Sequence, residues 1–148
     1  MIDANPFTPL TEDIITPKSP TFFELLKDSS KAESVEPNKE TGKWITLGVG
    51  EGGDLVSLAP QKLPELMPAL EANFDHILFD LPAYNAARVT GILINQIKDT
   101  VLVVKHQGPS NLLIKETFDN ITRDGGKIVG TIMNKYKNYI PKIIDSLI

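Results

Sequence analysis

The chain contains no cysteine, which removes disulfides, thiolate metal sites and a cysteine nucleophile from consideration. Histidine is nearly absent too. Neither His76 nor His106 has a partner at Ser-His-Asp or His-x-x-His spacing, and both read as structural or loop residues. No apolar stretch approaches the ~20 residues that cross a bilayer. The N-terminus has neither the basic nor the apolar region of a secretory leader. The expectation is a cytoplasmic chain with no direct membrane insertion. There is no excess of positive charge: 15 Lys and Arg against 19 Asp and Glu leave −4, spread along the chain, which disfavours a nucleic-acid role. What is present suffices for one globular domain, since 41% of the 148 residues are apolar.

Two textures divide the chain. Residues 1–42 are rich in Pro, Ser, Thr, Glu and Lys, and Pro6, Pro9, Pro17, Pro20 and Pro37 break regular structure there. One short helix is expected within this loop segment, Thr21 to Asp28, with Thr21 capping and Glu24 completing the capping box. Residues 43–148 alternate apolar runs with helical patterns, and the two parts together are read as one domain. Strands are expected at Trp44 to Val49, His76 to Leu81, Thr100 to Lys105 and Ile128 to Met133. Helices are expected at Glu65 to Phe74, Asn85 to Lys98 and Ser110 to Asp124, with a short amphipathic helix from Tyr139 to Ile148. Strand alternating with helix implies an α/β fold, a mostly parallel sheet with helices on both faces.

The segment Phe74-Asp75-His76-Ile77-Leu78-Phe79-Asp80-Leu81-Pro82 carries the chemistry, because an apolar strand ends there in a carboxylate. In open α/β sheets ligands bind beyond the carboxyl ends of the strands, where Asp80 is expected to stand. The bland alternative is a strand ending in a turn, with Asp80 capping the next element. A glycine loop, Gly48-Val49-Gly50-Glu51-Gly52-Gly53-Asp54, matches two nucleotide motifs only in part. As a P-loop it has Asp54 and Leu55 where Lys and Ser or Thr are needed, so phosphate would meet a carboxylate. As a dinucleotide fingerprint, Gly48, Gly50 and Gly53 fit, but Pro60, Pro64 and Pro68 crowd the expected helix. The loop is expected to be a flexible strand-to-helix connection, with a small dinucleotide-binding domain as an alternative.

The Asp80 strand resembles the Walker B strand of deviant-Walker P-loop ATPases, notably the bacterial tyrosine kinases of exopolysaccharide and capsule biosynthesis. The opening Met1-Ile2-Asp3-Ala4-Asn5 is similar to the end of that family's Asp-x-Asp-x-Arg strand, with Asp3 as the first acid. Asn5 and Phe7 stand where the second acid and the arginine are expected, so the motif is degraded. Asp99-Thr100-Val101-Leu102-Val103-Val104 resembles the strand after the first long helix. Ile128 to Asn134 resembles the strand whose terminal asparagine reads adenine, which implies that role for Asn134. Arg88 could reach a phosphate or a neighbouring subunit, although a solvated helix residue is the plainer reading. Tyr136 and Tyr139 stand where the family carries phosphoacceptor tyrosines, but two do not make a cluster.

The resemblance implies the C-terminal part of such a domain, without the Walker A loop that precedes this stretch in the family. Asp3 and Asp80 are then weak Mg²⁺ candidates, since Mg²⁺ favours bridging carboxylate and phosphate oxygens. The leading expectation is a nucleotide-site-deficient domain without a cofactor of its own, acting as a regulatory or interaction module. A membrane-embedded chain-length regulator or a complete kinase subunit is the implied partner. A homo-oligomer is also consistent, and a partner would hold the domain at the inner face of the membrane. The alternative is the C-terminal fragment of an active ATP-dependent tyrosine kinase, using Mg-ATP through a Walker A loop upstream.

Overall fold

Short apolar strands paired in parallel, alternating with helices, organise the computed structural model, which describes residues 1–11, 14–16, 18–35, 46–50 and 54–136. The fold is α/β, as the alternation implies. Strand β1 (Ile2–Asp3) pairs in parallel with β2 (Phe79–Asp80), Ile2 opposite Phe79 and Asp3 opposite Asp80. On its other side Ile2 forms an isolated parallel bridge to Leu47. A second parallel pair joins β3 (Asp99–Lys105) to β4 (Lys127–Asn134), with a register shift at Thr100/Val101. Among the described residues no ladder joins β2 to β3, so the strands form two separate pairs.

The expected helix at Thr21 is α1 (Phe22–Lys27). Its capping box is complete: Glu24 N donates to Thr21 Oγ1 at 3.3 Å and Thr21 N to Glu24 Oε2 at 2.8 Å. The glycine loop supports this helix rather than simply linking elements. Phe22 N and Phe23 N donate to the carbonyls of Gly48 (2.8 Å) and Val49 (3.1 Å), satisfying first-turn N–H groups. Gly50 has φ +83°, and a Cβ there would stand 2.5 Å from Thr21 Oγ1.

Helix α2 (Leu55–Glu71) begins ten residues before the expected Glu65. Asp54 caps it, accepting from Val56 N and Ser57 N and from Ser57 Oγ at 2.5 Å. Leu55, Ala59, Leu63, Leu66 and Leu70 form its buried face, while Pro60, Pro64 and Pro68 recur every fourth residue on the exposed side. Pro64 has no N–H to offer the Pro60 carbonyl; Gln96 Nε2 donates to it instead at 3.1 Å. Helices α3 (Arg88–Ile97) and α4 (Asn111–Arg123) lie within the expected ranges. Asn85 and Ala86, expected at the start of α3, belong instead to a separate 3₁₀ turn, Tyr84–Ala86. A second 3₁₀ turn over 29–34, capped by Asp28, lies in the segment read as loop. Among the described residues no helix is long and apolar enough to cross a membrane.

The core gathers the inner faces of α1, α2 and α3 around Ile2 and Leu47, and Phe22 meets Phe79 edge-on at 5.8 Å. In contrast β3 and β4 contribute no residue to the fully buried core. The expected helix from Tyr139 to Ile148, Trp44 and Ile45 of the first expected strand, and Glu51, Gly52 and Gly53 of the loop lie outside the described residues.

Candidate functional site

The register of β1 against β2 sets Asp3 beside Asp80 at the carboxyl ends of two parallel strands. Their environments differ. Asp3 is wholly buried. One carboxylate oxygen accepts from Asn5 N at 2.9 Å, and the other from Leu10 N at 2.8 Å, where the Pro-rich segment folds back over the strand end. Asn5 closes the same turn, its Oδ1 accepting from Phe7 N and Thr8 N. Asp80 is half-buried and has no such donors among the described residues: burial first, and the charge of Asp3 second, push its carboxyl above the usual aspartate range.

Asp3 is wholly buried, with a backbone N–H on each of its oxygens, so of the two acids Asp80 is the one open to a cation arriving from solvent. No group of three or more metal-ligating acids or histidines occurs among the described residues. Asn134 ends β4, in the other strand pair; its side chain accepts from Lys135 N at 2.7 Å, and its carbonyl accepts from His106 N at 2.8 Å. The acids therefore come together on one pair of strands, and Asn134 stands on the other.

Sequence reasoning missed a cluster where α3 meets the end of α4. Tyr84 donates to Asp124 Oδ2 at 2.7 Å, and Asn95 donates to the Asp124 carbonyl at 2.7 Å. Burial first, and the bond to Asp124 second, raise the tyrosine's pKa. A Cβ at Gly91 would stand 2.5 Å from Asp124 Oδ2, so this glycine lets the carboxylate approach α3. Arg88 and Arg123 line the adjoining cleft of about 820 Å³, both exposed. The available signal was Asp124-Gly125 at a helix end, but its partners lie 40 and 29 residues away.

A larger cleft, about 1860 Å³, separates the two strand pairs. Leu78 and Phe79 line one side, Val101 and Val129 the other, and Met67, Gln96 and Ile97 stand among the remaining lining residues.

No protein-family model matches the chain, and no curated protein sequence matches it. Solved structures do. The crystal structure of the VpsO kinase domain superposes with a TM-score of 0.77 at 22% identity, covering 92% of this chain and 69% of that one. This likeness fixes the fold as that of the kinase domain.

Proposed function

We propose that this chain is a P-loop kinase-like domain that carries the acidic edge of a nucleotide site, does not hold Mg-ATP through that edge alone, and acts by protein contact. By its sequence resemblance the setting is exopolysaccharide or capsule biosynthesis. The partner is then a kinase subunit or a membrane chain-length regulator, which would hold the domain at the inner face of the membrane. The observation that carries the reading is the closed carboxylate of Asp3, buried and bonded to the Asn5 and Leu10 amides. A phosphate needs N–H groups and cationic side chains, whereas Asp3 and Asp80 present two acids.

Calorimetric titration of the purified chain with Mg-ATP tests this. The expected result is no binding heat at about 1 mM nucleotide, a regime in which a binding free energy of about −4 kcal/mol would register. Micromolar binding that disappears in Asp80→Ala would overturn it.

One observation favours a second reading, an active ATP-dependent tyrosine kinase whose phosphate-binding element is supplied elsewhere in the polypeptide. Asp80 is a half-buried carboxylate beside another acid, and it lacks a cationic partner among the described residues. Under that reading, Mg-ATP binding appears once the element is present, and Asn134→Ala weakens it through the adenine.

A further inference from the structure

We infer that the cleft of about 820 Å³ beside α3 binds a small, hydroxylated phosphate monoester, with its phosphate on Arg88 and Arg123. The inference goes beyond the protein-contact reading and does not depend on it.

Charge is the first argument. Arg88 opens α3, Arg123 ends α4, and both line the cleft. Acidic side chains outnumber basic ones by 19 to 15 in this chain, yet neither guanidinium has a hydrogen-bond or ion-pair partner among the described residues. The acid beside Arg123 is directed elsewhere, since Asp124 Oδ2 accepts from the Tyr84 hydroxyl.

Convergence is the second. Asp124 is seated against α3 by Tyr84 and Asn95, and Gly91 leaves room for its carboxylate. Gly91 lies one helical turn beyond Arg88, and Arg123 directly precedes Asp124, so this contact carries both arginines to the same opening. Two guanidinium groups on separate helices suit a phosphate, which takes forked, charge-assisted hydrogen bonds.

The remaining wall specifies the body of the ligand. Three side-chain amides line the cleft, and each already commits its nitrogen to the protein: Asn85 to Thr117 Oγ1, Asn95 to the Asp124 carbonyl, and Gln96 to the carbonyls of Ala59 and Pro60. Their oxygens are left as acceptors, and Gln96 Oε1 is buried without a donor. The ligand must therefore bring donors as well as negative charge. A cationic donor would be repelled by the arginines, which leaves hydroxyl groups. Pro60, Ala86 and Ile92 add apolar surface for the carbon atoms between them. The volume lies in the range of small-molecule clefts.

The probe is glucose-6-phosphate, titrated without Mg²⁺ into the full chain and followed by amide chemical shifts. Expected are saturable shifts around Arg88, Gly91 and Asp124 with a Kd below about 1 mM, and an about tenfold loss in Arg88→Gln and in Arg123→Gln. Both side chains are exposed, so these variants should melt with the parent. Lys115→Gln makes the same charge change on an exposed part of α4 outside the cleft and should bind as the parent does. Glucose alone and inorganic phosphate alone should each bind about tenfold more weakly or worse. Absence of saturation, an equal loss in Lys115→Gln, inorganic phosphate binding as tightly as the ester, or shifts centred on Asp3 and Asp80 overturns the inference. Mg-ATP, whose phosphates the metal already neutralises, should not compete. Mg-ATP binding that survives Arg88→Gln and is lost in Asp80→Ala would remove the reading of the preceding subsection and leave this one standing.

Discussion

Asp3 and Asp80 occupy matched positions on paired strands, and their hydrogen bonds divide them. Asp3 receives two backbone N–H groups and is built into the fold; Asp80 lacks such donors among the described residues and has its carboxyl held above the ordinary range by burial and by Asp3. A raised folded-state value means that the folded chain binds this proton more tightly than the unfolded chain does, so ionisation opposes folding. Its destabilising effect is absent well below the unfolded value, grows as pH rises through the folded value, and is complete above it. Asp80→Asn should therefore raise the melting temperature at neutral pH, with the gain shrinking toward acid, as paired thermal melts across pH would show. Asp80 is legible in the sequence as the end of an apolar run, whereas Asp3 is picked out by the family resemblance of Met1 to Asn5 and not by any periodicity of its own. That Leu10 closes Asp3 is not legible, because a bond across a Pro-rich turn leaves no periodic trace.

At the scale of elements, the informative mismatch is α2. Its prolines read as breakers, yet Asp54 with Ser57 three residues on, and leucines at 55, 63, 66 and 70, outline a capped helix. Proline spacing of four keeps the missing donors on one exposed side, where Gln96 takes the freed Pro60 carbonyl, while the buried face remains continuous. Pro68→Ala should restore an N–H for the Pro64 carbonyl. The expected gain is about 1 kcal/mol or more, reduced by the greater freedom of the unfolded chain, and measurable by urea denaturation. By contrast the Thr21 and Glu24 capping box, β3 and α4 are legible almost to the residue, because caps and apolar periodicity act locally there.

Across the whole molecule, burial is uneven. The Ile2, Leu47 and α1–α3 region holds most of the core, whereas of the β3–α4–β4 unit Ile121 is the fully buried apolar side chain. Native-state hydrogen exchange should then report a lower opening free energy for β3 and β4 than for α2, although β3 and β4 are the longer strands. Equal protection of the two regions would contradict this. Alternation of strand and helix announces the fold class, but which strands are neighbours is hidden, because order within a sheet is set by packing between distant segments.

The open edge between β2 and β3 also has a calorimetric consequence. Any association that covers the exposed valines and Leu78 removes apolar surface from water, so it should carry a negative heat-capacity change. Its enthalpy would become more favourable with every degree of warming, a signature that a contact confined to the charged rim would lack.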